Sequence, residues 1–184
     1  MRKASSRRIV IDASVARSAG GKDAVTTDPS SNCCRTFLAS VLGICHRVVI
    51  TQDIQQELNN HESRFARKWR LSMVARKKVV LLTDLPTIQT MRDAVEILPV
   101  CQSDKDAMLK DCHLIVAAQA TDSIIASRDD EAQQLFAAHL QTLPAVADLL
   151  WVNPVKTPED IISWLKNGAL PDNRYQLKHY QPED

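Results

Sequence analysis

Arg8-Ile-Val-Ile-Asp12 decides the fold: three β-branched residues in a row, entered from a cation and left on a carboxylate. The run is too short for a helix and apolar throughout, which is the pattern of a strand buried on both faces. Similar short apolar runs recur at 47–51, 78–83, 123–127 and 148–152. Helical patterns lie near 30–45, 52–61, 63–77, 86–98, 104–120 and 130–141. A last helix is expected over 158–167, with Thr157 as its N-cap, Pro158 at the first position and Gly168 as its stop. Strands that alternate with helices pair in parallel, and right-handed crossovers place helices on both faces. The expectation is an α/β fold: a three-layer α/β/α sandwich around a five-stranded parallel sheet.

The length, 184 residues, suits one domain. That domain is expected over 1–170, followed by a polar tail, 171–184, read as disordered. Residues 18–32 read as a polar, mobile loop. With 45% hydrophobic and 24% charged residues, the composition is that of a soluble globular chain. A net charge of +1 means that any attraction to a polyanion must come from local patches. The amino-terminal residues lead into a strand rather than a signal sequence. The most apolar stretch, 36–50, contains His46 and Arg47 and is too short to span a bilayer. A cytoplasmic protein without membrane attachment is expected. Five cysteines without framework spacing point to reduced, buried thiols, and the lack of a CxxC pair argues against zinc.

Four carboxylates fall where such a sheet would gather them. Asp12 ends the first strand, and Glu57 follows the second in Gln52-Asp-Ile-Gln-Gln-Glu57-Leu58. Asp111 opens the apolar stretch Asp111-Cys-His-Leu-Ile-Val-Ala-Ala118, and Asp129 closes Ser123-Ile-Ile-Ala-Ser-Arg-Asp129. Open parallel sheets build their sites at the carboxyl ends of strands. Acids that converge there repel one another, and Mg²⁺ or Mn²⁺, which prefer oxygen ligands, are the usual remedy.

Each acid also has a plainer reading. Asp12 could be only a helix cap, and Glu57 only part of a solvated helix face. Ser14 could cap the next helix or hydrogen-bond a metal-bound water. Asp111 is the most telling, because an unpaired charge beside so apolar a segment is costly. Of the adjacent pair, Asp129 is assigned to the site and Asp130 to the cap of the next helix. Asp104 and Asp106 are read as solvated.

Taken together, the chain resembles the PIN domain, the nuclease fold of VapC-type toxins. The matching segments are Ile9-Val-Ile-Asp12-Ala-Ser14-Val15, Ile50-Thr-Gln-Asp-Ile-Gln-Gln-Glu57-Leu58, Asp111-Cys-His-Leu-Ile-Val-Ala-Ala118 and Ile125-Ala-Ser127-Arg-Asp129. They occur in the family's order and cover roughly residues 8–152. The resemblance implies a metal-dependent ribonuclease with Asp12, Glu57, Asp111 and Asp129 on the metal and Ser14 at the family's small hydroxyl position. It also implies a homodimer in many cases, and an antitoxin protein as a possible partner. The long 18–32 loop and the tail depart from the pattern, which bears on substrate and partner more than on chemistry. The rival reading is a PIN-like module that binds RNA or protein without cleaving.

Between Ser63 and Thr83 the chain carries Arg64, Arg67, Lys68, Arg70, Arg76, Lys77 and Lys78 and no acid. Arg2, Lys3, Arg7 and Arg8 form a second basic cluster. Arg64, Arg67, Lys68 and Arg70 are the candidate RNA-phosphate contacts; a solvated helix face is the alternative. Trp69 is expected in the core rather than stacked on a base. Helices 52–61 and 63–77 carry Ile54, Leu58, Phe65, Trp69, Leu71 and Val74, more apolar surface than two covering helices need, which suggests an isologous dimer. Nucleotide-cofactor, P-loop and serine-hydrolase readings fail, because GxGxxG, GxxxxGK[ST] and GxSxG are all missing. Phosphatase and receiver readings fail too. Ser14 stands where the first needs a second Asp, and Trp151-Val-Asn-Pro154 offers no lysine for the second.

Overall fold

Strand β1 (Arg8–Ile11) is the middle of a five-stranded sheet. On one side lie β2 (Arg47–Ile50) and then β3 (Val79–Leu81); on the other lie β4 (Ile124–Ala126) and then β5 (Leu150–Val152). Every pairing is parallel, and Val10 faces Val49 on one side and Ile125 on the other. Ile9, Val10 and Ile11 are wholly buried, as a strand covered on both faces requires. These features come from a computed structural model, which describes residues 6–20, 28–83 and 88–181.

Eight helices complete the described residues: α1 (Ala13–Ser18), α2 (Pro29–Gly43), α3 (Gln52–His61), α4 (Arg64–Ala75), α5 (Ile88–Glu96), α6 (Gln102–Gln119), α7 (Asp130–Ala138) and α8 (Pro158–Lys166). Helices α1 to α4 and α8 pack together as one layer, and α5 to α7 as the other. The three-layer α/β/α sandwich expected from the sequence is the fold. No helix among the described residues is long and apolar enough to cross a membrane.

Several local expectations need correction. The short helix α1 has too few residues for its periodicity to show. The expected loop 18–32 ends early: Asp28 caps α2 by accepting from the Ser30 N–H at 2.9 Å, and Pro29 takes the first position. Residues 21–27 of that loop lie outside the described residues. Asp111 lies in the middle of α6 rather than at a helix start. Thr157 precedes α8, but in a left-handed conformation and without a capping bond from its side chain. Cys34 and Cys112 are buried as expected, whereas Cys45 and Cys101 are exposed.

The tail is not a loose end. The segment after α8 returns antiparallel to β5. Trp151 N–H donates to Tyr175 O at 2.8 Å, and Leu177 N–H to Leu149 O at 3.0 Å. Two side chains in an otherwise polar stretch anchor it, since Tyr175 and Leu177 are both buried.

Helix α4 divides its basic and apolar residues. Trp69 is in the core, and its indole donates to Leu38 O at 2.6 Å. Ile54 and Leu58 are buried with it, and Phe65 is half-buried beneath the Arg35 guanidinium. The molecule's own core therefore takes most of the apolar set that suggested a dimer. Leu71 and Val74 stay exposed, at 60% and 55%.

Candidate functional site

The carboxyl ends of β1 and β4 meet the middle of α6, and there three of the four acids come together. Asp12 follows β1 and is 7% exposed. It precedes α1 but makes no capping bond, which removes the plainest alternative for it. Two hydroxyls hold it instead: Ser14 donates to Asp12 Oδ2, and Ser127 donates to the same oxygen at 2.7 Å. Ser14 also accepts the Arg128 N–H at 3.0 Å. It is thus a brace between β1 and the segment after β4, not a helix cap.

Asp111 comes from α6 and is 2% exposed. Its Oδ2 is buried with no hydrogen-bond partner in the protein. Burial, with the negative charges of Asp12 and Asp129, pushes this carboxyl up to about 7, against the pull of Lys110 and His113. A carboxylate here is costly unless a cation approaches.

Asp129 is reassigned in part. It is the N-cap of α7, its Oδ1 accepting the Ala132 N–H at 2.9 Å. The other oxygen, Oδ2, stands 3.6 Å from Lys110 Nζ. Asp130, expected as the cap, turns away: it accepts from Asn153 Nδ2 at 3.0 Å and lies 3.5 Å from Lys156 Nζ. The two aspartates have exchanged the cap, while Asp129 keeps an oxygen toward the cluster.

Glu57 stands at the rim. His113 Nε2 donates to Glu57 Oε2 at 3.2 Å, and His113 Nδ1 donates to Lys110 O at 2.9 Å. A backbone carbonyl and a carboxylate at the two ring nitrogens both favour the protonated ring. Burial works against that charge, but the Glu57 bond and charge prevail and raise the His113 pKa. Burial likewise opposes the Glu57 carboxylate, yet His113, Lys110 and His61 together hold it below the ordinary range.

Sequence reasoning overlooked Lys110, His113 and Ser127. The ammonium of Lys110 is raised above its usual value: burial lowers it, but Asp111, Asp129 and Asp12 outweigh that. Its position next to Asp111 was the available signal. For His113 the signal was a histidine inside an apolar helix stretch.

The donor set suits a hard divalent cation: three aspartates, one with an unsatisfied buried oxygen. It is not drawn into a ligand cage. Among the described residues no three His, Cys, Asp or Glu side chains stand close enough to hold a metal ion. Lys110 and His113 supply the positive charge beside the acids.

The basic candidates divide. Arg70 is committed to the fold: its guanidinium meets Glu62 at 2.7 and 2.9 Å, Asn59 at 3.1 Å and Gln55 at 3.3 Å. Arg67 also reaches Glu62, at 3.2 Å, although it is exposed. Lys78 donates to Leu42 O at 2.7 Å and to Ile44 O. Arg64 and Lys68 lie exposed on the outer face of α4. Comparison with family models, with curated proteins and with solved structures found no match to this chain.

Proposed function

We propose that the chain is a metal-dependent ribonuclease whose site is the cluster of Asp12, Asp111 and Asp129, with Glu57 at its rim. The observation that carries this reading is the buried Asp111 Oδ2, which has no partner and faces the charges of Asp12 and Asp129. A carboxyl raised toward neutrality by burial and like charge marks a site candidate. Asp12, Asp111 and Asp129 would hold Mg²⁺ or Mn²⁺. The ion would polarise a phosphodiester and lower the pKa of a bound water. Ser14 and Ser127 fix the orientation of Asp12. Lys110 lies where it can meet a phosphate oxygen. Arg64, Lys68 and the exposed Arg67 suit the phosphates of a longer strand.

A second reading, a PIN-like module that binds RNA or protein without cutting, is favoured by one observation. Lys110 already pairs with Asp129, and His113 with Glu57, so two of the four acids have a cation beside them in the protein itself. Incubation of a mixed RNA pool with the purified chain, with and without Mg²⁺ or Mn²⁺, separates the two. Metal-dependent fragments that vanish in the Asp12→Asn variant support the nuclease; intact RNA under all conditions supports the module. A role as the toxin of a toxin–antitoxin pair, cytoplasmic location and a homodimer belong to the same proposal. The exposed Leu71 and Val74 on α4 are the surface for the dimer.

A further inference from the structure

A cavity of about 230 Å³ opens beyond the carboxyl end of β5, between α7, the turn into α8 and the returning segment around Tyr175. Gln133, Trp151, Asn153, Lys156, Arg174 and Tyr175 are among its walls. Two of these are buried with a polar atom that no protein group satisfies: the Trp151 indole Nε1, in a residue 1% exposed, and the Tyr175 hydroxyl, in a residue 8% exposed. The other two tryptophans are satisfied, Trp69 by Leu38 O at 2.6 Å and Trp164 by Leu170 O at 2.7 Å. Buried donors in native proteins find partners, because an unpaired one costs about 1–3 kcal/mol. Two unpaired donors on one cavity point to something that enters it.

The chemistry of the walls limits what that is. An indole N–H only donates, a phenol donates and accepts, and the buried Gln133 amide does both. Asn153 is held rigid, giving its amide to Asp130 and accepting the Val155 N–H at 3.0 Å. A simple oxyanion would call for donors alone, and Asp160 also lines the space. The mixed set matches the edge of a flat heterocycle with ring and exocyclic donors and acceptors. The half-exposed ring of Tyr180, on the same wall, suits one of its faces. Lys156 and Arg174 stand at the same walls, paired with Asp130 at 3.5 Å and with Asp172 at 2.8 Å, and an attached phosphate would compete with those carboxylates for them.

The cavity borders the acidic cluster. Asp130 links to Asn153 and Lys156 of its wall, while the preceding residue, Asp129, turns an oxygen toward Lys110. We propose that this cavity takes a single nucleobase, carried on a nucleotide or unpaired in an RNA strand. The proposal rests on the phosphodiester reading of the acidic cluster and deepens it: a base held here would set which bond of the strand reaches the acids.

The test uses the full chain, labelled with ¹⁵N and free of divalent metal, and reads the three indole N–H resonances. Trp151→Phe assigns the relevant one. The probes are the four nucleoside 5′-monophosphates, inorganic phosphate, and short single-stranded RNAs that contain or lack each base. The expected result is a saturable shift of the Trp151 resonance, with millimolar affinity or better, for one or two nucleotides. RNAs containing the same base should produce it, and Trp69 should stay still. Gln133→Ala should weaken that binding about tenfold without changing the melting temperature, as loss of one hydrogen-bond partner predicts. Equal shifts with inorganic phosphate would make this an oxyanion site, and no shift with any probe would leave a water-filled cavity; either overturns the proposal. A shift with nucleotides but not with RNA would keep the base site and remove the strand as its source. Nucleotide binding without RNA cleavage would sink the nuclease reading and leave the base site standing.

Discussion

Ser127 donates its hydroxyl to Asp12 Oδ2 at 2.7 Å, and so joins the end of β4 to the end of β1 on one carboxylate oxygen. The same oxygen receives Ser14. Whatever Asp12 does, its orientation is set by two neighbours that do not titrate.

That bracing makes Asp12→Asn a clean test. The amide oxygen can still accept from both serines, so the fold should keep its stability within about 1 kcal/mol. Only the charge is lost. Metal-dependent RNA cleavage should fall by about a hundredfold or more, the scale of removing one preorganised electrostatic group. Wild-type turnover in a folded variant would take Asp12 out of the mechanism.

Asp111 and Glu57 should respond in opposite directions. Removal of either acid from a repelling cluster would be expected to stabilise the metal-free protein. The geometry supports this for Asp111 alone. Its pKa is raised to about 7 in the fold, so its contribution is full below the unfolded value and is lost as pH rises through 7. Asp111→Asn should therefore raise the melting temperature at about pH 8 and change it little at about pH 3. Glu57, held low by His113, contributes stability above the ordinary carboxyl range that is lost as pH falls. Glu57→Gln should lower the melting temperature at neutral pH. Calorimetry on both variants without metal decides; a stabilised Glu57→Gln would mean that His113 is not its partner.

On α4, charge reversal should separate binding from folding. Arg64→Glu with Lys68→Glu should weaken RNA binding and flatten its salt dependence, with stability within about 0.5 kcal/mol of wild type. Arg70→Ala should instead cost about 1–3 kcal/mol, because it strands the buried side chain of Glu62. Filter binding at two salt concentrations and denaturant melts test the pair. If Arg64 and Lys68 reversal leaves affinity and salt slope alone, the face is merely solvated.

His46 should make the fold sensitive to acid. It is fully buried, its Nδ1 accepting the Arg7 N–H at 3.1 Å and its Nε2 donating to Leu165 O at 2.8 Å. Burial lowers its pKa, opposed by the Leu165 carbonyl and assisted by Lys78 and Arg7. A lowered folded value means stability that is present above the unfolded pKa of about 6.5 and lost as pH falls through the folded one. In an Asp111→Asn background, which removes the opposite trend, the melting temperature should drop below about pH 6.5. His46→Gln should flatten that drop, and an unchanged slope would place the acid sensitivity elsewhere.

Assembly is a separate question. Light scattering at micromolar concentration should give twice the monomer mass, and Leu71→Glu with Val74→Glu should return it to one. Monomer mass for the wild-type chain would sink the dimer.

Much of this was visible in the sequence because parallel strands are nearly pure apolar runs. Ile9-Val-Ile11 and Val48-Val-Ile50 could hardly be anything else. The gathering of Asp12, Asp111 and Asp129 follows once those strands are placed. What stayed hidden depends on rotation about single bonds. Asp129 and Asp130 are adjacent, and nothing in the letters says which turns to the helix and which to Asn153. Arg70 looked like a surface cation because its partner, Glu62, stands one residue outside the acid-free stretch. His113 and Lys110 were masked by the buried length of α6, which is apolar on most sides and so carries little directional signal. The tail misled because two anchors, Tyr175 and Leu177, were diluted among polar residues.

That returning segment also determines how the sheet meets the outside. By taking the Trp151 N–H of β5 and the Leu149 carbonyl just before it, it covers part of that border, whereas β3 has no strand beyond it among the described residues. A chain cut after Leu170 would keep every strand and nearly all of its core, yet gain a second sticky border. Its failure would be aggregation through strand addition rather than unfolding, the hazard of an edge whose backbone groups are left unpaired.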